Sequence, residues 1–208
     1  MGIDWRIVAA AGLVFSTRAL SLDPLSLHET IPATLSLDVS MERIARVDED
    51  EVTVRYFGRS ARSGLRTLGT IQSAFYHFFL YLDQQGIEHD QRCLDLELNV
   101  YELTDEELNN RALMSFLSWD RWGNRGIHGV YDSVNSREGQ GGIFFSGSMA
   151  SAEEQAVLVA HEASHFLQEL YCISGSLESM TRDFERFFRE RNSSPDTSSS
   201  PADAPRAE

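Results

Sequence analysis

His161, Glu162 and His165 stand in the run His161-Glu162-Ala163-Ser164-His165 of a 208-residue chain. Their types and spacing suit one kind of chemistry. On a helix, residues four apart lie one turn apart on the same face, so two imidazoles at that spacing can grip a single ion. Zinc suits such nitrogen donors and lowers the pKa of a water it holds toward ~7. Glu162 is rotated about 100° around the helix from His161. From there it reaches a water on the metal rather than the metal, takes its proton and can return it to a leaving amine. His161 and His165 are therefore candidate metal ligands, and Glu162 is the candidate catalytic base.

A catalytic zinc takes three protein ligands and keeps a further position open. A third histidine six residues after His165 would follow the metzincin pattern, but that position is Tyr171. A carboxylate from the following helix remains, and Glu178, Asp183 and Glu185 are the candidates. Tyr131 or Tyr171 can offer a hydroxyl to a tetrahedral intermediate. His77, within Phe75-Tyr76-His77-Phe78-Phe79, reads as a core or surface histidine, and His128 lies in the loop before Tyr131.

These residues need elements to position them. Val52 to Phe57 alternates with β-branched and aromatic residues and predicts a strand, and Gly58 and Gly64 bracket a loop after it. Apolar residues at 65, 68, 71, 75, 78, 79 and 82 have helical spacing, and Gly86 ends that helix. Leu94 to Tyr101 alternates again and predicts a second strand. Thr104 with Glu107 forms a capping box that opens a helix to Phe116. Residues 119–129 read as a loop, and Val130-Tyr131-Asp132 as the start of a turn-rich stretch. Gly141 to Phe145 reads as a short strand whose glycines suit a sheet edge that an extended substrate can pair with. Ser151 with Glu154 opens the motif helix, which runs to Cys172, and Ser176 opens a last helix to Arg191.

The class implied is α+β, a small mixed sheet packed against helices that include the motif helix. Residues 1–47 read as a leader or N-terminal arm, with a possible signal peptide over 1–19 around the apolar run Ile7 to Phe15. Residues 48–191 read as the domain, and 192–208, rich in Ser, Pro, Ala and Asp, as a disordered tail.

The motif and the order of elements around it resemble the gluzincin zinc peptidases, within the broad peptidase MA-like group, over residues 50–190. In those families the third ligand is a Glu followed by small and apolar residues, and Glu178-Ser179-Met180-Thr181 is similar. The resemblance thus implies Glu178 as third ligand, a zincin-like fold, bound zinc, and hydrolysis of a protein or peptide substrate. An Asp commonly follows that Glu by four residues, where this chain has Arg182. The rival expectation is a catalytically inactive zincin-like binding module, against which the retained Glu162 speaks.

Composition narrows the partners. The net charge is −14, from 18 basic and 32 acidic side chains, and every basic residue is arginine. So acidic a chain repels phosphate backbones and anionic membrane surfaces, which argues against nucleic acid. No run of apolar residues is long enough to span a membrane. Cys93 and Cys172 can form one bridge in a secreted protein or stay reduced in a cytoplasmic one, and the sequence leaves both compartments open.

Overall fold

The structure is a computed structural model and describes residues 35, 37–47, 50–89, 92–94, 97–110, 128–132, 140–173 and 177–193. Strands β1 (Val39–Val47) and β2 (Asp50–Gly58) form an antiparallel hairpin. Strand β3 (Glu97–Leu103) runs parallel to β2, and helix α1 (Ala61–Gln85) connects the two. After the single-turn helix α2 (Asp105–Leu108) come β4 (Gly129–Asp132) and β5 (Gln140–Ser146). β5 is parallel to β3, and β4 is antiparallel to β5. The order is β1-β2-β3-β5-β4, a five-stranded mixed sheet. Helices α3 (Ala152–Leu170) and α4 (Leu177–Ser193) complete an α+β fold.

The period-two alternation gives the sheet two faces. Val52, Val54 and Tyr56 of β2, Leu98 and Val100 of β3, and Ile143 and Phe145 of β5 pack with α1, α3 and α4 in one core. Each fully buried side chain of this kind contributes roughly 1.5–3 kcal/mol. On the opposite face Phe57, Tyr101 and Phe144 stand in register across three strands, with ring centroids 5.1 and 4.6 Å apart. Leu37, Leu103, Leu108 and Val130 close this smaller cluster.

Several elements depart from the sequence reading for identifiable reasons. β1 lies where an arm was expected, so the boundary at residue 47 runs beside a hairpin turn rather than between domains. Val39, Met41 and Ala45 pack inward on the core, but exposed Glu42, Arg43 and Arg46 dilute the alternation, as charges on an edge strand do. α1 starts at Ala61, capped by the Ser60 side chain, because Gly64 is a packing position and not a loop residue. A Cβ there would lie 2.8 Å from the Tyr56 ring. β3 is Glu97–Leu103 rather than 94–101. The Thr104–Glu107 capping box is present, but the described part of its helix is the one turn Asp105–Leu108.

The largest correction concerns the edge. Gly129–Asp132, read as a turn, is strand β4, and it pairs with β5. β5 therefore has both sides paired and is interior, not the edge strand expected from its glycines. α4 runs to Ser193. The expected signal peptide over 1–19 and the tail beyond 193 lie outside the described residues. No helix among the described residues is long and apolar enough to cross a membrane. Cys93 and Cys172 are unbridged and exposed, and their thiols hydrogen-bond to each other.

Candidate metal centre

α3 is buried around most of its circumference, with Val157, Val159, Ala160, Ala163, Phe166, Leu167 and Leu170 in the core. Such coverage makes it a rigid platform. Ser151 accepts the Glu154 N–H at 3.0 Å and opens the helix. His161 and His165 lie on a partly uncovered strip, one turn apart, with ring centroids 5.2 Å apart. α4 returns across this strip. Its Glu178, Thr181 and Glu185 follow helical spacing and share the face turned to the histidines, while Phe184 and Phe188 join the core.

The contacts are specific. His165 Nε2 lies 3.5 Å from Glu178 Oε2, and His161 Nδ1 lies 3.1 Å from Glu185 Oε2. Each carboxylate is held from its other oxygen by an arginine one turn on: Arg182 donates to Glu178 at 2.8 Å and Arg189 to Glu185 at 2.9 Å. Among the described residues, His161, His165 and Glu178 bring one potential ligand atom each to within 4.8 Å of one another.

Two imidazole nitrogens and one carboxylate oxygen are a donor set that zinc takes in catalytic sites. The wider geometry suits it. Both histidines have Nδ1 engaged, His161 by Glu185 and His165 by Thr181 Oγ1 at 3.3 Å, which makes Nε2 of each the candidate ligating nitrogen. Of the three sequence candidates for the third position, the structure brings Glu178 into the set. Glu185 reaches the seam but meets Nδ1 of His161, where it can orient that candidate ligand. Asp183 faces elsewhere, bonded to Arg186 at 3.0 Å in a groove with Tyr81 and Gln85.

The electrostatics match the roles. Burial and the neighbouring His161 push the His165 imidazole down to about 4, so at neutral pH it is uncharged and able to ligate. Glu162 is 6% exposed and turned toward β4, where the Tyr131 N–H donates to its carboxylate. Burial, opposed by the Tyr131 N–H and aided by Glu178 and Glu185, pushes that carboxyl up to about 8. Such a group exchanges protons near neutrality. Gly129 makes the close approach of β4 possible. A Cβ at that position would lie 2.8 Å from Leu158 Cδ1 and 3.2 Å from Glu162 Oε1.

The tyrosines do not take the role that sequence allowed them. The Tyr131 hydroxyl donates to Glu169 and its ring packs on Phe166. Tyr171 is buried against Phe79. His77 bonds to the Ser73 carbonyl at 2.9 Å and packs on Phe187 and Phe188, a core-facing histidine as its surroundings suggested. Thr181, the orienting role of Glu185, the Tyr131 N–H and the Gly129 approach were missed from sequence. A spacing of three and seven residues from Glu178 was the available signal for the first two. No family model matches the chain, and no curated protein and no solved structure matches it.

Proposed function

We propose that the chain is a zinc-dependent peptidase of zincin-like, gluzincin type, with His161, His165 and Glu178 holding the metal and Glu162 as general base. The observation that carries this reading is the convergence of those three ligand groups within 4.8 Å on the helix that bears His161-Glu162-Ala163-Ser164-His165. Zinc bound there supplies a Lewis acid that polarises a carbonyl and makes water acidic near neutral pH. The protein supplies the rest. Glu162 takes a proton from water and returns it to the departing amine, and a cation beside it would favour the ionised form that starts and ends this cycle. The Tyr131 N–H holds the carboxylate in place through the exchange. Arg182 and Glu185 hold Glu178 and His161, so the ligands need little reordering. Because β4 is the outermost strand beside α3 among the described residues, we assign an extended peptide substrate to β4 rather than β5.

The test is direct. Purified protein is expected to contain one equivalent of zinc by elemental analysis, and to lose it on His161→Ala. Wild-type protein incubated with a proteome-derived peptide mixture should generate new peptide N-termini that Glu162→Gln protein does not. Protein that binds no zinc refutes the reading. Protein that binds zinc but yields no new termini is a binding module instead.

A further inference from the structure

Helices α1 and α3 end in the same backbone motif, but with different residues at its turning point. At the end of α1 the Gly86 N–H donates to the Asp83 carbonyl at 3.1 Å and the Ile87 N–H to the Leu82 carbonyl at 3.0 Å, with Gly86 left-handed at a φ of 65°. At the end of α3 the Cys172 N–H donates to the Glu169 carbonyl at 3.1 Å and the Ile173 N–H to the Gln168 carbonyl at 2.8 Å, with Cys172 left-handed at a φ of 51°. This termination favours glycine, because an L side chain at positive φ is strained. Among the described residues, Cys172 is the one non-glycine residue with a positive φ. Its side chain therefore needs a reason to be there, and Cys93 lies opposite it. The Cys93 and Leu94 N–H groups donate to the Leu170 carbonyl at 2.9 and 3.3 Å, so backbone bonds pin Cys93 against the end of α3. The two thiols hydrogen-bond to each other, and both residues are exposed. We propose that Cys93 and Cys172 are a modification site, which a low-molecular-weight disulfide such as oxidised glutathione converts to a reversible disulfide that latches the end of the motif helix to the segment before β3. The latch does not depend on the zinc reading, since Cys172 stands about two turns past His165.

The chemistry is two successive thiol–disulfide exchanges. One protein thiol, as its thiolate, attacks a sulfur of the oxidant. A bond from protein sulfur to glutathione sulfur forms, the oxidant's own S–S bond breaks, and one glutathione thiolate leaves. The second protein thiol, having given up its proton, attacks the protein sulfur of that mixed disulfide. The bond between Cys93 and Cys172 forms and the second glutathione thiolate leaves. The two cysteines are oxidised, the oxidant is reduced to two thiols, and the two protons released by the cysteines end on the departing glutathiones. The helix end holds both sulfurs in contact before any bond forms, so the second attack is intramolecular and outruns attack by another molecule. Exposure lets the oxidant reach the pair in the folded protein, and exposed disulfides are the ones that exchange readily. Once formed, the bond closes a ring that holds β3, β4, β5 and α3, and it stabilises the fold by restricting the unfolded chain.

The test treats the full chain, as purified and without denaturant, with oxidised glutathione. The chain has two cysteines, so a monomer that has lost two hydrogens and both free thiols must carry this bond. That mass, a monomeric band on a non-reducing gel and the return of both thiols with dithiothreitol are the expected results. The oxidised protein should melt ~5–15 °C above the reduced one. Amide exchange at Cys172 and Ile173, whose N–H groups close the helix end, should slow on oxidation. Cys93→Ser should instead stop at a single glutathione adduct and gain no stability. Cys172→Gly, which removes the thiol and the strain together, should melt below oxidised wild type. If it melts as high, the cysteine holds nothing that glycine does not, and the latch is refuted. Wild type that stops at glutathione adducts, or that links two chains, overturns the proposal. So does a disulfide that neither raises the melting temperature nor slows exchange at the helix end. If Cys93→Ser fails to fold, the wild-type mass, gel, melting and exchange data decide alone.

Discussion

Two polar clusters cross the interior of this fold, and they are built on opposite logics. Around Glu102, at the junction of β2, β3 and α1, the Tyr56 hydroxyl donates to the carboxylate at 2.7 Å and the Ser63 hydroxyl donates to the same oxygen. Gly147 backs against the other oxygen, where an added Cβ would lie 2.6 Å away. That cluster closes on itself: neutral donors meet a carboxylate and ligating atoms do not converge. The α3–α4 seam is built the other way. Its outer atoms, Nδ1 of both histidines and one oxygen each of Glu178 and Glu185, are paired, while Nε2 of His165 and Oε2 of Glu178 face each other across the seam at 3.5 Å. A structural cluster satisfies its groups with each other, whereas a binding site satisfies only the groups that hold it in shape. On the reading proposed above, the difference separates a polar network that glues helices from one shaped to take a cation.

The sharpest way to break this comparison is to make the same change in both places. Glu162→Gln is expected to lower kcat by about 10²–10⁴, the usual range for loss of a general base, with zinc content unchanged. Glu102→Gln should leave kcat and zinc untouched and lower the unfolding free energy by about 1–3 kcal/mol, the usual cost of disturbing a buried bond to a charged group. Full peptidase activity in Glu162→Gln would sink the mechanism. Lost zinc in Glu102→Gln would show that the two clusters are not independent.

Within the seam, the three carboxylates of α4 should rank themselves. Glu178→Ala removes the proposed third ligand and should weaken zinc binding most. Glu185→Ala removes only the partner of His161 Nδ1, and a loss of about 10–100-fold is expected. Asp183→Ala should leave the affinity at its wild-type value, since Asp183 bonds to Arg186 on another side of the helix. Isothermal titration of metal-free variants with zinc gives all three values. An order with Asp183 or Glu185 first would mean that α4 is rotated relative to α3 in solution.

Much of this arrangement was legible in the residues, and the rest failed for local reasons. The spacing of His161, Glu162 and His165 carries its own geometry once the helix is recognised, so that part of the centre needed no tertiary information. α1, α3 and α4 were visible because their apolar positions keep a helical period over many turns. The third ligand was not decidable from spacing, because Glu178, Asp183 and Glu185 share one helix and only its crossing over α3 separates them. The Tyr131 N–H was invisible because a backbone donor leaves no trace in residue type. β4 was read as a turn because Gly129-Val-Tyr-Asp132 is short and opens with glycine. That glycine is there for the approach to Leu158 and Glu162. The misreading of β4 then made β5 look like an edge.

A smaller effect tests the closed cluster alone. Tyr56→Phe deletes one hydroxyl and should cost about 1.5–3 kcal/mol, since the bond it removes goes to a charged group. Chemical denaturation with an unchanged m-value would check this, and zinc stoichiometry should remain that of wild type. A variant as stable as wild type would mean that Ser63 alone satisfies Glu102.

The smallest expected effect falls on the boundary between the two kinds of cluster. Arg182 donates to Glu178 at 2.8 Å, yet its side chain is 70% exposed and that of Glu178 is 52% exposed. As a surface pair four residues apart on a helix, it should contribute only about 0.3–0.5 kcal/mol to folding. Its effect on the metal is the informative one, because Arg182 draws on the same carboxylate that faces His165. An arginine that merely competes for Glu178 would depress zinc affinity, and Arg182→Ala would then bind zinc more tightly. An arginine that orients Glu178 raises it, because the oxygen it leaves free is the one directed at the histidines. The separate use of Oε1 by Arg182 and Oε2 by His165 favours orientation, so Arg182→Ala should weaken zinc binding modestly, by less than the 10–100-fold expected where a buried partner is lost. The loss should be larger in dilute buffer than in high salt, because an exposed pair is screened. Tighter binding in Arg182→Ala, measured at both ionic strengths, would place Arg182 outside the centre and leave Glu178 to be positioned by α4 alone.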